Sequence, residues 1–318
     1  MPRAARPGDW LTLFALAGMW GSAFLLNAIA LESLPPSILV AGRILLGALV
    51  LLIVLWAQDV KLPRTFKGWL PLVFMGFFAN VLPFQLVAWA QQHIDSSLAG
   101  ILMAAMPLFV LTLAHFHLPG ERLTTARIVG FGVGFIGVVF VLSPKFETGV
   151  MGNMALWGAL ATLAAAFSYS CSTVYARRIG GGHPLQMSAG LLLVASVMSV
   201  PGAMFAVPEI QSPGLAALVA VLFLGILSTG LSTLLYFRII QGPGPAFLSM
   251  VNYLVPAWAV FAGAVFLNEQ LAPATFIGLG LILAGIALSE VGHRYAGQIR
   301  IRFTNGFRSV TRWAREQP

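Results

Sequence analysis

The chain is poor in the groups that carry most protein chemistry. Its single cysteine, Cys171, excludes an internal disulfide. It has only ten acidic residues, and Glu32, Asp95, Glu121, Glu209, Glu269 and Glu290 all stand at the ends of apolar runs or between them. Carriers that couple to ions through carboxylates bury such a group in the bilayer, so this coupling is disfavoured. His115 and His117 sit two residues apart, about 200° around a helix, and do not face one metal. No metal or cofactor is expected. No Ser-His-Asp or Cys-His set has meaningful spacing, which counts against a membrane-embedded enzyme. Charge is scarce as well: 9% of residues are charged and 58% hydrophobic, with a mean hydropathy of +0.89. Soluble domains carry about 25% charge.

One motif points elsewhere. "GFGVGFIG", residues 130–137, contains Gly132-Val-Gly134-Phe-Ile-Gly137, the spelling of a dinucleotide-binding turn. That turn needs a preceding strand and a helix opening at the glycines. Here the glycines lie in the middle of an apolar run preceded by "GERLT", so the nucleotide reading fails.

What is present is a series of ten apolar runs at 10–30, 36–56, 69–90, 96–117, 124–142, 153–176, 184–206, 214–240, 244–267 and 273–290. Each is about the length of a membrane span, and the separators are short and rich in Pro and Gly. The first run has the outline of a signal peptide, but its counterpart later in the chain argues that it is retained. Basic residues gather in alternate connections: Arg3 and Arg6; Lys61, Arg64 and Lys67; Arg122 and Arg127; Arg177 and Arg178; Arg238; and the arginines after residue 290. The positive-inside rule then places both termini in the cytoplasm of a multi-pass inner-membrane protein. The net charge of +8 reports this topology, not nucleic-acid binding. Residues 1–9 form a short cytoplasmic N-terminus. Residues 291–318 form a basic tail mixing Arg with Phe303, Phe307 and Trp313, which either lies on the anionic leaflet or is solvated.

The chain repeats itself. "GFGVGFIG" reappears as "GLGLILAG": Gly130, Gly132 and Gly137 map by an offset of 148 onto Gly278, Gly280 and Gly285. The same offset pairs Glu121 with Glu269 and Pro36 with Pro184, and an offset of 149 pairs Gly76 with Gly225 and Pro107 with Pro256. Five runs are thus duplicated, over 10–142 and 153–290. Five is odd, so the halves have opposite orientation, as in many secondary transporters. The expected class is an all-α polytopic membrane protein of ten transmembrane helices, built as two inverted five-helix repeats around a central cavity. The six paired glycines are expected to be helix-packing residues, with Gly130–Gly134 and Gly280–Ala284 as small-residue pairs. Pro107 and Pro256 are expected to be matched gating hinges, because proline removes a helix hydrogen bond.

"MWGSAFLLNAIALESLPPSILVAGRILLGALVLL", "PLFVLTLAHFHLPGERLTTARIVGFGVGFIGVVFVL" and "YLVPAWAVFAGAVFLNEQLAPATFIGLGLILAGIAL" resemble EamA-type repeats of the drug/metabolite transporter superfamily. The resemblance covers residues 10–290. It implies a cavity lined mainly by helices one, three, four, six, eight and nine, and bacterial export of amino acids or other metabolites. Drug-like or nucleotide-sugar-like solutes are the alternative. The second half departs from the pattern: it lacks the Trp-Gly of "MWGSAF", and Leu191 stands where the first half has Arg43. The cavity is therefore expected to be chemically asymmetric.

The candidate substrate-binding residues are polar and aromatic groups within the runs: Trp20, Asn27, Asn80, Gln85, Trp89, Met103, Tyr169, Thr229, Ser232, Asn252 and Tyr253. Polar residues in a span face the bundle interior or a wet cavity, although Ser and Thr also serve interhelical bonding. Amides beside aromatic faces suit a neutral or zwitterionic solute. Arg43 is the one charge well inside a run. It either snorkels or bonds helix-end carbonyls, or it meets a substrate carboxylate. Glu121 and Glu269, each just before a helix, are explained by the helix dipole. The expected partners are a small-molecule substrate and the bilayer, with a monomer sufficient.

Overall fold

The computed structural model describes residues 3–119, 121, 124–147, 153–180, 182–206 and 213–289. The basic tail lies outside them. Among the described residues all regular structure is helical. Eight helices are long and apolar enough to cross a membrane: α1 (Pro7–Leu31), α2 (Pro36–Ala57), α3 (Phe66–Ala90), α4 (Ser96–His117), α5 (Thr125–Leu142, continuing to Glu147), α6 (Met154–Ile179), α7 (Pro184–Ala206) and α8 (Leu215–Gln241). Two shorter apolar helices follow, α9 (Val251–Phe266, after a single turn at Pro245–Leu248) and α10 (Pro273–Ser289). The chain is a multi-pass membrane protein.

Local sequence sets the boundaries. Prolines stand in the first turn of α1, α2, the α9 turn and the second part of α4, where a missing N–H costs nothing. Asp9 in the first turn of α1 accepts from the Arg6 N–H at 2.8 Å and pairs with Arg3 at 2.5 Å. The Arg3 N–H reaches the Gly242 carbonyl at 3.3 Å, tying the N-terminus to the α8–α9 connection. We call this the near end of the bundle. The α1–α2 and α3–α4 connections mark the far end.

The major packing partners come from different halves: α2 along α7 and across α8, α1 along α9, α3 and α4 along α6, and α4 against α9. Lipid-facing and partner-facing surfaces are equally apolar, so close approach decides which helices associate. Glycine supplies that approach. At Gly137 a Cβ would stand 2.7 Å from the Gly278 carbonyl, and at Gly285 it would stand 2.7 Å from the Gly134 nitrogen. Gly130, Gly134 and Gly137 of α5 thus interlock with Gly278 and Gly285 of α10. Two expectations are corrected here. A Cβ at Gly132 or Gly280 meets nothing within 4 Å, so neither is a packing residue, and Gly280–Ala284 is not a contact pair. The helix faces rotate by about 100° per residue, which turns Gly132 away from the seam that holds Gly130.

The two hinge prolines sit at different places in their helices. α4 is interrupted at Ala104–Ala105, and Pro107 opens the second part, Met106–His117. Pro256 instead lies inside the continuous stretch Val251–Phe266, and the interruption in α9 falls earlier, at Ser249–Met250. Helices four and nine are therefore broken at non-equivalent places.

Glu269 closes the far end. Asn268 takes φ +53°, a conformation that Asn tolerates better than most residues, and turns the chain back. The Glu269 carboxylate then accepts the Ser96 N–H at 2.8 Å, the Ser97 N–H at 3.0 Å and the Ser97 hydroxyl. It caps α4, in the other half, and not the helix that follows it. Glu121 pairs with Arg127 of α5 at 3.0 Å. Because Ser96 and Ser97 are buried, Glu269→Ala should strand their donors at a cost of about 1–3 kcal/mol. Thermal melting of the purified protein should show a clear drop in Tm, and a smaller one for Glu269→Gln.

Candidate functional site

Midway along the bundle two helices depart from α geometry at matching places. α3 contains a π-helical stretch at Phe77–Val81 and α8 one at Leu224–Leu231. Such bulges recur at functional sites. Asn80 lies in the first, and Ser228 and Thr229 in the second; all three are buried. A glycine just before the first stretch and another inside the second admit a neighbouring helix: a Cβ at Gly76 would stand 2.9 Å from the Leu191 carbonyl of α7, and at Gly225 it would stand 3.0 Å from the Arg43 carbonyl of α2. Leu191 and Arg43 are equivalent in the repeat, so one contact is built twice, with an arginine on one side only.

Arg43 does not snorkel. It is 7% exposed, about 10 Å along α2 from Pro36 at 1.5 Å per residue. Its Nε donates to the Thr229 hydroxyl at 2.9 Å, and that hydroxyl donates in turn to the Leu224 carbonyl at 2.9 Å, five residues back in the π turn. The guanidinium carbon lies 3.9 Å above the Phe84 ring, and the Tyr169 side chain on α6 is within electrostatic range. Among the described residues Arg43 has no carboxylate partner, and its Nη groups have no hydrogen-bond partner. The Asn80 side chain likewise has none among them. A buried cation held by one hydroxyl and one ring is under-compensated, and a guanidinium fork matches a carboxylate in two parallel bonds.

The other sequence candidates divide. Tyr169 meets Phe84 with ring centroids 6.3 Å apart, so Arg43, Phe84, Tyr169 and Thr229 form one group, and Asn80 is buried four residues before Phe84 on α3. Phe84 gave no signal in the sequence, being one apolar aromatic among many. Trp20, at the middle of α1, faces Tyr236 at 6.1 Å, and the carbonyl of the preceding Met19 accepts the Ser228 hydroxyl of the second π stretch at 2.9 Å. Met103 ends the first part of α4, and Asn252 and Tyr253 open the main part of α9, all half-buried. Ser232 is bound into its own helix through the Ser228 carbonyl at 2.7 Å. Asn27 does not line an open cavity: it is 3% exposed, and its Nδ2 donates to Gln91 Oε1 at 3.0 Å while Gln91 Nε2 donates to the Phe24 carbonyl at 2.8 Å. It fastens α1 to the end of α3. Gln85 and Trp89 line a separate crevice at the far end.

Known proteins resemble this chain over most of its length. A family model described as the EamA-like transporter family matches residues 8–143 and again residues 156–290. The uncharacterized transporter YoaV of Bacillus subtilis (strain 168) is 26% identical over 290 residues, spanning 88% of this chain and 95% of its own. The uncharacterized inner membrane transporter YedA of Escherichia coli (strain K12) is 28% identical over 284 residues, spanning 88% and 90%. A probable amino-acid metabolite efflux pump of Salmonella typhimurium (strain LT2) is 23% identical over 308 residues, spanning 93% and 99%. One solved crystal structure matches 90% of this chain and 98% of its own with TM-score 0.66 at 23% identity, a likeness of fold.

Proposed function

The chain belongs to the EamA-like transporter family, and from that premise we propose that it exports amino acids or related zwitterionic or aromatic metabolites across the inner membrane by alternating access. The working architecture is ten transmembrane helices in two inverted repeats, residues 10–142 and 153–290, with both termini cytoplasmic. The family model matching twice and the paired π stretches support the duplication. The alternation of basic connections supports the orientation. The similarity to a protein named as an amino-acid metabolite efflux pump supports the solute class.

The observation that carries the solute reading is the buried, under-compensated Arg43. It receives the solute carboxylate, Asn80 and the Tyr169 hydroxyl supply directed hydrogen bonds, and the Phe84 and Tyr169 rings wall the site. One guanidinium with no second cation beside it in the group favours a single carboxylate over a phosphate-rich anion. Met103, Asn252 and Tyr253 flank the same volume from the broken helices, whose interruptions at Ala104–Ala105 and Ser249–Met250 let α4 and α9 bend between access states. Pro107 sustains the first of these bends. A monomer suffices.

Reconstituted proteoliposomes test this. Purified protein should release preloaded radiolabelled phenylalanine or threonine. It should pass phenethylamine, which lacks the carboxylate, at least tenfold more slowly, as expected for loss of a charge-assisted bond. Equal flux of acid and amine would remove Arg43 from the solute site.

A further inference from the structure

A crevice of about 550 Å³ opens at the far end between α2, α3 and α7, a volume within the usual range for small-molecule pockets. Its walls are Ser37 at the start of α2, Gln85 and Trp89 on one face of α3, Gln92 in the turn that follows it, and Gly202 and Phe205 near the end of α7. Gln85 and Trp89, four residues apart, keep to one helix face. Phe205 is 84% exposed and Trp89 37%, so two aromatic rings stand at the mouth.

The polar groups of this crevice are unspent. Gln85 lies five residues before the last residue of α3, about 7–8 Å below the helix end. Neither its amide nor that of Gln92 has a hydrogen-bond partner among the described residues. At that depth a lone amide is expensive. Among the described residues no charged side chain lines the crevice, so the described walls do not favour an ion.

We propose that this crevice is a second solute site, distinct from the Arg43 group, that takes an uncharged hydrogen-bonding group attached to an aromatic or apolar body. Gln85 bonds the polar group, and Trp89 and Phe205 sandwich the body. A solute leaving the centre is held here before release at the far end. That last role rests on the transporter reading, whereas binding in the crevice does not.

Binding of radiolabelled N-acetyltryptophanamide, an uncharged aromatic amide, to purified full-length protein tests the site. Wild type and Arg43→Gln should bind it saturably with the same affinity. Gln85→Leu should weaken it roughly threefold to tenfold, the loss of one uncharged hydrogen bond. Gly202→Trp should abolish it by filling the crevice. A Cβ at Gly202 meets only the Ser37 Cβ at 3.8 Å, so the backbone can accept the change. A brominated phospholipid reports on the competing occupant, since it quenches Trp89, read as the difference from Trp89→Phe. Saturating N-acetylphenylalaninamide, an uncharged aromatic amide used as the probe here because it does not absorb where tryptophan is excited, should relieve that quenching. Absence of saturable binding, unchanged affinity in both crevice variants, loss of binding in Arg43→Gln, or quenching indifferent to the probe would each overturn the proposal. The last outcome would assign the crevice to lipid. Phenylalanine flux in proteoliposomes is scored separately, so failure of the crevice leaves the transport reading standing, and the reverse.

Discussion

Gly285→Leu and Gly130→Leu should each abolish most of the folded protein. At Gly285 an added Cβ would lie 2.7 Å from the Gly134 nitrogen and 2.9 Å from its Cα, and at Gly130 it would lie 3.0 Å from the Ser289 nitrogen. These neighbours are backbone atoms of a helix, which cannot rotate aside as a side chain does. Overpacking a well-packed core costs about 1–3 kcal/mol when side chains can adjust. Here the remaining adjustment is to part α5 from α10, which also forfeits the contact at Gly137 and Gly278. Native stability is commonly about 5–15 kcal/mol, so the loss of a whole helix seam is close to decisive. Gly132→Leu and Gly280→Leu, a turn or less away, have open space and should be tolerated. Monodisperse yield on size-exclusion chromatography, together with Tm, measures the contrast. If all four variants behaved alike, close backbone approach would not be what joins α5 to α10.

Arg43→Gln should reduce amino-acid flux by roughly tenfold to a hundredfold, the range for losing a charge-assisted bond of about 1.5–3 kcal/mol. Its effect on stability should run the other way. The guanidinium is buried with one hydroxyl bond and one ring contact, and removing an under-compensated buried charge is neutral or stabilising. A purely structural arginine predicts the opposite pair of results, lower Tm with flux falling only as abundance falls. Arg43→Lys keeps the charge but loses the planar fork and the stacking over Phe84, so it should recover only part of the flux. Initial rates in proteoliposomes, normalised to reconstituted protein, and melting curves on the same preparations separate the two cases.

Much of the fold was legible because apolar runs and repeated Pro, Glu and Gly positions report directly on spans and duplication. The seam glycines Gly130, Gly137, Gly278 and Gly285 were found by their repeat alone. Gly132 and Gly280 share the repeat without sharing the seam, because sequence spacing does not say which side of a helix meets its neighbour. The site was less legible. Asn80, Thr229 and Tyr169 stood out as polar groups in apolar runs, but the π stretches that hold the first two leave no composition signal. Arg43 was visible as an anomaly, yet its direction depends on Gly47 and Gly225 letting α2 and α8 touch: a Cβ at Gly47 would lie 3.0 Å from the Thr229 Cβ. Asn27 and Gln85 look alike in sequence, and only three dimensions separate an interhelix tie from a crevice wall. The capping partner of Glu269 was out of reach for the same reason, since it lies more than 170 residues away in the chain.

The pairing of Arg43 with Leu191 has a kinetic consequence. In the proposed inverted repeat, turning the molecule upside down exchanges the glycine contacts at Gly76 and Gly225, but the cation does not reappear. On that proposed reading, a solute held by Arg43 sits off the pseudo-twofold axis, bonded to one half whichever mouth is open. The same solute then meets different surroundings when approached from the two faces of the membrane, and the half-saturating concentration differs from side to side. Such lopsidedness cannot by itself choose a direction of net movement. In a carrier without an energy source the product of the forward steps is tied to the product of the reverse steps, and only the gradient decides which way solute flows. On the proposed reading, what Arg43 sets is how full the carrier runs on each side.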